Sequence, residues 1–378
     1  MPAAQTVLIV GGGPAGLSAA TTLRRAGIDA SILEINDDLR PLGSGLTMMG
    51  PTLRALHGID VAALEACIAR GSGHPGLIFG NADGEALERM PLPQIAGGDF
   101  PGGFGITRPV FWQVLAEMAE RAGAPIRLST TVTSIAQDGD GVEVELSDGS
   151  RERCDLLIGA DGLHSKVREL AFPDAPQPYY NGQTVWRAMI PRPPDLADDM
   201  GMYYGPRNKV GCNPVSDTEA YVFLVENAQR SPRPPREQWP ELMREQLSDY
   251  GGVIAWAREH MTDPARIDCR PLQVHLLPAP WHRGRVLLIG DAAHATTPHL
   301  AMGAGISLED GLVLGEELAG DGPLDAALER FVARRFERCR LVVENSAQLG
   351  AWEQDPSVPP SEHARLSNES FAALAAPI

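Results

Sequence analysis

No stretch of this 378-residue sequence is apolar over the length needed to cross a bilayer. The N-terminus runs almost at once into a strand and a glycine-rich loop, which leaves no room for a cleavable signal and points to a cytoplasmic protein. Cysteine is sparse: Cys67, Cys154, Cys212, Cys269 and Cys339 are scattered, odd in number and without a C-x-x-C pair. That excludes a disulfide framework and gives no zinc signature, so no metal is expected. Basic residues are outnumbered by acidic ones, and a formal charge of −17 argues against a nucleic-acid duplex or an anionic membrane as partner. Its simplest effect is solubility. The length favours two domains sharing an interface.

What is present begins with a β-α-β unit. Val7-Leu8-Ile9-Val10 is a continuous apolar run of the kind found in a parallel strand covered on both faces. A helical pattern runs from Pro14 to Ala26, Gly27 stops it, and Ile28 to Leu33 forms a second strand. Two similar runs, Asp155 to Ala160 and Arg285 to Gly290, are expected beside the first in one sheet, which makes this domain discontinuous. Thr130 to Val144 alternates and is followed by a Ser147–Ser150 turn, predicting an antiparallel hairpin. Thr184–Ile190, Gly201–Tyr204, Lys209–Val215 and Glu219–Glu226 read as antiparallel strands, with proline-rich surface loops at Pro191–Pro194 and Ser231–Pro235. Glu237–His260 reads as helix, as does the chain from Ser307 to about Ala351. The expected division is a nucleotide domain of residues 1–72, 101–178 and 268–350, a substrate domain of 73–100 and 179–267, and a peripheral tail of 351–378.

The loop Gly11-Gly12-Gly13-Pro14-Ala15-Gly16 carries the first chemistry. Gly11 permits a tight turn, Gly13 lets the backbone approach a pyrophosphate, and Gly16 lets helix and strand pack closely. The helix N-terminus behind it offers free N–H groups to an anion. Glu34 ends the next strand, where a carboxylate can accept both ribose hydroxyls and repel a 2′-phosphate.

Two later segments separate NAD from FAD. Ile158-Gly159-Ala160-Asp161-Gly162 with Leu163 to Arg168, and Leu288-Ile289-Gly290-Asp291-Ala292-Ala293-His294, resemble the "DG" and "GD" signatures of the single-component, para-hydroxybenzoate-hydroxylase-like (class A) flavoprotein monooxygenases. With the glycine loop they come in family order, and the resemblance spans roughly residues 5 to 345. It implies an α/β fold: a discontinuous Rossmann-like FAD-binding domain, an inserted mixed antiparallel β-sheet substrate domain and a C-terminal helical segment. It also implies that Asp291 holds a ribityl hydroxyl, that Asp161 lies near the pyrophosphate and the nicotinamide passage, and that Arg108 reaches the FAD chain. Pro298 to Gly305 resembles the family's loop beside the isoalloxazine, with Pro298, Gly303, Ala304 and Gly305 at the flavin and the next helix aimed at its N1/O2 edge. Ala301-Met302 replaces the usual Gly-Gln. The cofactor so implied is FAD, with NADH or NADPH and O₂ as co-substrates. The chemistry the resemblance implies is addition of O₂ at the flavin C4a and hydroxylation of a small aromatic or heteroaromatic molecule by the hydroperoxide.

The substrate side departs from the family. Where its aromatic hydroxylases often read Gly-x-x-x-His-x-x-x-Tyr-Pro-Val, Gly205–Val215 places Lys209 and Asn213 at the His-like and Tyr-like positions. Alternation puts Lys209, Gly211 and Asn213 on one face. Lys209 is a candidate for pairing an anionic substrate or serving as a base, beside its reading as a surface lysine. His299 and Tyr204 are the other catalytic candidates, and Tyr221 and His275 join Asn213 as pocket candidates. His294 reads as structural, and Ser165 and Arg168 as capping and solubilising a helix. The substituted pair leaves a phenol, a nitrogen heterocycle or a natural-product ring open. A halogenase or reductase, and a non-catalytic dinucleotide sensor, stand as alternatives, although Val185–Pro191 has only one of the two tryptophans of the halogenase Trp-x-Trp-x-Ile-Pro motif. Monomer and homodimer are both open.

Overall fold

The structure, a computed structural model, describes residues 3–39, 43–228 and 234–378. Its first sheet gathers strands from across the chain: β1 (Thr6–Val10), β2 (Asp29–Leu33), β8 (Ile126–Arg127), β12 (Leu156–Gly159), β18 (His282–Arg283) and β19 (Val286–Leu288). Their order is β18-β19-β12-β1-β2-β8, parallel except where β18 runs against β19. The three apolar runs expected to be neighbours are therefore adjacent. Each is buried on both faces because α1 (Pro14–Arg25) and its neighbours cover one side while β9 (Val132–Gln137), β10 (Val142–Leu146) and β11 (Arg151–Cys154) form a small antiparallel sheet nearby. The expected hairpin is thus a three-strand meander, with Asp138 turning the chain by accepting from the Asp140 and Gly141 amides.

The second large sheet has the order β17-β13-β16-β15-β14-β5-β6. Its members are β5 (Gly76–Asn81), β6 (Ala86–Pro91), β13 (Tyr179–Pro191), β14 (Met200–Tyr204), β15 (Lys209–Pro214), β16 (Glu219–Asn227) and β17 (Ile267–Val274). Only β14 and β5 pair in parallel. The side-chain period of two divides this sheet cleanly. Trp186, Ala188, Val210, Cys212, Val222 and Leu224 point to a core shared with α6 (Trp239–Gln246) and α7 (Gly252–His260). Arg187, Lys209, Asn213, Tyr221 and Phe223 therefore point the other way, toward the loops of the first sheet. The single helix expected over Glu237–His260 is broken between α6 and α7, where Gly252 takes φ +52° against the Gly84 turn. Of the proline-rich loops, Ser231, Pro232 and Arg233 lie outside the described residues.

Between the two sheets stands a third, antiparallel one of β3 (Gly45–Met49), β7 (Gly103–Thr107) and β4 (Ser72–His74), with α2 (Gly50–Ile59), α3 (Val61–Arg70) and α4 (Arg108–Arg121) around it. The remaining helices are α5 (Lys166–Ala171), α8 (Asp291–His294), α9 (Gly303–Ala319), α10 (Leu324–Glu353) and α11 (Pro360–Ala375). No helix among the described residues is long and apolar enough to cross a membrane. Four of the five thiols are buried and Cys269 is half-buried.

Candidate active site

The glycine loop is shaped by contact. At Gly11 (φ +112°) a Cβ would stand 2.3 Å from the Ala160 carbonyl oxygen, and at Gly16 one would stand 2.0 Å from the Gly11 carbonyl oxygen. At Gly13 the same position meets open space. Helix α1 starts there with Pro14 in its first turn, no capping side chain and no acidic residue, so its free N–H groups face outward unneutralised. Glu34 is buried beside the loop, accepting from the Gly12 amide at 2.7 Å and from Asn36 Nδ2 at 2.6 Å.

The other two strand ends converge on this loop. Gly290 (φ +59°) lies against Ala15, where a Cβ would come within 2.7 Å of the alanine Cβ. Asp291, next to it, makes no side-chain hydrogen bond to the described residues. Solvent reaches its carboxylate, yet protein surrounds it on most sides, as on the floor of a cleft. That partial burial raises its carboxyl above the usual range, while His294 and Arg108 pull in the other direction. Asp161 differs. Its oxygens take the Ser165 hydroxyl at 2.5 Å and the Lys166 and Val167 amides at 2.6 and 3.0 Å, so it organises the start of α5. Ser165 caps α5 as expected. Arg168 does not solubilise it. The side chain is buried and donates to the Ala292 and Leu163 carbonyls at 2.8 and 2.6 Å, tying the DG loop to the GD segment.

Arg108 opens α4, and its buried Nε has no partner. Burial lowers the pKa of this guanidinium, and the nearby Arg187 and Arg270 charges lower it further. The Pro298–Gly305 segment forms a 3-10 turn over Pro298–Leu300, places Ala301 at φ +51°, and enters α9 at Gly303 with no cap and no acid in the first turn. Ala304 follows in that turn, and Gly305 packs against Thr52. An alanine in the left-handed region costs about 1 kcal/mol, which is why a glycine suits that position. These groups fit a flavin nucleotide: an open cradle at Gly13, an unpartnered buried Arg108 nitrogen, a free carboxylate at Asp291 and two uncapped helix N-termini.

His294 lies behind the cleft and is structural. Its Nε2 meets Asp310 Oδ2 at 2.6 Å, and Asp310 also accepts from the Gly290 amide and Arg335 Nε, each at 2.8 Å. Burial opposes a charged His294, but the adjacent Asp310 carboxylate raises it well above the usual histidine value. His294, Asp310 and Cys339 are close enough to hold a metal ion. The guanidinium of Arg335, donating to both Asp310 and Cys339, already supplies the positive charge there.

On the substrate side, Lys209 is not a free base. Its ammonium pairs with Glu353 at the end of α10, and the other Glu353 oxygen meets His299 Nε2 at 3.2 Å. Gln183 Nε2 donates to that same oxygen at 3.2 Å. Burial works against ionisation of Glu353, but the Lys209 charge and the His299 hydrogen bond hold it well below the usual carboxylate range. His299 has both ring nitrogens engaged, the second with Thr297 Oγ1 at 2.8 Å, and burial lowers its pKa. The stretch after residue 350 is therefore not peripheral. Glu353 belongs to the tail by sequence, and nothing local in the sequence marks it.

Tyr204 remains half-exposed and stacks on Phe79 with centroids 6.4 Å apart. Tyr221 is buried beside Gly45, stacks on Phe223 at 5.4 Å, and accepts from Arg187 Nε at 3.1 Å. Asn213 is buried and spent on structure, bridging the Gly201 amide and Thr47 Oγ1 at 2.9 and 3.0 Å. His275 lies apart from these groups. It is buried against the GD segment, with its amide on the Ala295 carbonyl, and borders a separate cavity of about 240 Å³ with Tyr179, Val274 and Val343. Burial pushes its pKa down to about 4.

The FAD binding domain family matches residues 4–346. The chain belongs to this family. It is 32% identical over 358 residues to 2-heptyl-3-hydroxy-4(1H)-quinolone synthase of Pseudomonas aeruginosa, covering 93% of this chain and 91% of that protein. It is 31% identical over 368 residues to 3-hydroxybenzoate 6-hydroxylase of Polaromonas naphthalenivorans, covering 92% and 88%. Klebsiella pneumoniae HpxO complexed with FAD and uric acid has the same fold, with a TM-score of 0.86, 22% identity and coverage of 98% and 95%. As a member of the FAD binding domain family, the chain is an FAD-dependent monooxygenase, with NAD(P)H and O₂ as co-substrates.

Proposed function

We propose that this monooxygenase hydroxylates a planar heteroaromatic ring, of the 4(1H)-quinolone kind, held between the cofactor cleft and the cleft-facing side of the seven-stranded sheet. The observation that carries this reading is the aromatic surface of that sheet. Phe79 with Tyr204, and Tyr221 with Phe223, form two stacked pairs on its cleft-facing side, and Met202 lies between Phe79 and Gly211 in register. Flat apolar side chains bind a flat ring with little ordering cost and keep water from the reacting face. The only fixed cation directly beside Tyr204 in register is Lys209. Its ammonium, steadied by Glu353, stabilises the oxyanion that a quinolone or phenol develops on losing its proton, and this electron-rich form is the better nucleophile toward activated oxygen. The similarity to a quinolone synthase supports a bicyclic nitrogen ring over a small phenolic acid.

FAD, once reduced by NAD(P)H, supplies the activation of O₂. In this reading the Gly11–Gly16 loop and Glu34 hold its adenosine diphosphate end, and Asp291 and Arg108 hold its ribityl chain. The α9 N-terminus faces the flavin ring. Asp161 and Arg168 keep the DG loop seated rather than touching nucleotide. The two separate cores support the two-domain division expected from the sequence, with Glu353 tying the last helical segment to the substrate sheet. The test is incubation of the yellow holoenzyme with a 2-alkyl-4(1H)-quinolone, NADH or NADPH, and air. A product heavier by one oxygen atom is expected, formed in step with NAD(P)H consumption. Hydrogen peroxide as the sole oxygen-derived product, across quinolones and phenols alike, would sink the reading.

A further inference from the structure

At the substrate end of the cleft the cation comes with its own counter-charge. Lys209 pairs with Glu353, and that carboxylate takes two further contacts, His299 Nε2 and Gln183 Nε2, each at 3.2 Å. The helix end that carries it is fastened too. Asn227 Nδ2 donates to the Glu353 carbonyl at 3.1 Å, and Gln354 Nε2 donates to the Asn181 carbonyl at 3.0 Å. Gln183 is held in turn, donating to Asn227 Oδ1 at 3.0 Å and accepting from Asn181 Nδ2 at 3.1 Å. Glu353 therefore cannot swing aside without stripping Lys209, Gln183 and His299 of a partner, at a place where its side chain is only 18% exposed. Burial lowers the pKa of His299, so the ring is neutral at pH 7 and the cluster holds one positive and one negative charge.

That balance decides which rings can sit beside Tyr204 and Lys209. The arginines of the same sheet face, Arg187 and Arg270, stand on β13 and β17, two and three strands away from β15. At the usual strand spacing this is roughly 10 and 14 Å. Both are turned to Asp268, at 3.8 and 2.9 Å. A ring that enters with a carboxylate would meet a cation already answered, with the oxygens of Glu353 next to it. Like charges brought together in a partly desolvated cleft oppose binding, and selectivity often rests on such a repulsive element. An uncharged ring meets no such opposition. An oxyanion formed in place differs from a carboxylate, because its charge is spread over the ring and arises only once the ring is seated.

We propose that Glu353 determines specificity by charge, admitting aromatic rings that are uncharged on entry and turning away carboxylated ones. It acts through Lys209 and is a positioning residue, not a catalytic one. The assignment rests on the reading that the ring is seated beside Lys209, and it does not require that ring to be a quinolone.

The test uses ligand pairs that differ in charge and little in shape: 3-hydroxybenzamide with 3-hydroxybenzoate, and 2-methyl-4(1H)-quinolone with 4-oxo-1H-quinoline-2-carboxylate. Binding is read on the FAD-loaded enzyme without NAD(P)H, from the perturbation of flavin absorbance. The parent should bind the neutral member of each pair at least about tenfold tighter. Glu353→Gln leaves Lys209 uncompensated, so affinity for the acids should rise about tenfold while that for the neutral partners falls by up to about tenfold. Loss of packing alone would weaken both members together, so movement in opposite directions is the signature of the filter. Glu353→Asp, which keeps the charge, should keep the parent's order of preference. The proposal is overturned if the parent takes the acids as tightly as their neutral partners, a measurement that needs no variant. It is equally overturned if Glu353→Gln leaves the ratio unchanged, as it would if Arg187 and Arg270 held the acids, or if no neutral ring perturbs the parent's flavin up to about 1 mM. Failure of the quinolone to be oxygenated, with the charge ratios as expected, would overturn the quinolone reading and leave the filter in place.

Discussion

Two clusters of buried charge flank the Pro298–Gly305 turn, and they are built on opposite plans. Behind the cofactor cleft, Arg335 is fully enclosed and donates to Asp310, to Glu309 and to the Ile306 carbonyl, while Asp310 holds His294 and the Gly290 amide. Nearly every charge there has a fixed partner and no solvent. On the substrate side, Lys209 and His299 share the Glu353 carboxylate, and Lys209 and Glu353 stay 22% and 18% exposed at the edge of the cleft. The first cluster braces the strand end that carries Asp291. The second can answer to what enters the cleft. A closed network fixes geometry, and an open one trades part of its stability for a role in binding.

The sharpest way to break the contrast is Arg335→Met. Removing Arg335 leaves Asp310 with His294 and the Gly290 amide, and Glu309 with Arg338, in a site without solvent, and should cost about 3 kcal/mol, read by urea denaturation of the holoenzyme. A cost below about 1 kcal/mol would show that the cluster is not closed as described. The matching change in the open cluster, Glu353→Gln, should cost less, about 1–2 kcal/mol. Its main effect should fall on binding: the KM for the quinolone rises about tenfold with kcat little changed. Equal losses in kcat and kcat/KM would instead assign Glu353 to the chemical step.

The two clusters should also fail at opposite ends of the pH scale. Glu353 is held below its unfolded value, so its contribution is complete above that value and disappears as pH falls through the folded one. The stability difference between the parent and Glu353→Gln should be flat above about pH 5 and shrink below about pH 4. His294 is raised, so its contribution is complete below the unfolded histidine value and disappears as pH rises through its folded one. Replacing His294 with Gln should therefore matter most in acid and least in alkali, as followed by thermal melting across pH. Ala301, at φ +51° on the turn between the clusters, should give the smallest effect. Ala301→Gly should stabilise by no more than about 1 kcal/mol, since relief of the left-handed strain is offset by a freer unfolded chain.

The parallel strands and their glycine-bearing ends were legible because burial on both faces writes itself as a continuous apolar run, and because a backbone that must touch Ala160 or a phosphate tolerates only Gly11 or Gly13. The two faces of the substrate sheet could be read from alternation, which put Lys209 and Asn213 together. What those side chains do could not. Asn213 is spent on the Gly201 amide and Thr47, and Lys209 meets a partner 144 positions away. Pairings of that kind arise from tertiary packing of α10 on the sheet, and a helix end carries no local pattern announcing which strand it will meet. Arg168 misleads for a related reason: a charged residue four positions past a short turn reads as surface, while the local Leu163 carbonyl and the Ala292 carbonyl brought in from the GD segment make burial tolerable.

The cysteines acquire a meaning once oxygen chemistry is considered. A flavin monooxygenase releases hydrogen peroxide whenever reduction outruns hydroxylation, and the thiolate form of cysteine is its first target. Here burial pushes the thiols of Cys67, Cys212 and Cys269 up to about 12 and that of Cys154 to about 11, so almost none is ionised at neutral pH. Packing that keeps these thiols protonated should slow their oxidation by leaked peroxide, and activity should outlast repeated idle turnover without added reductant.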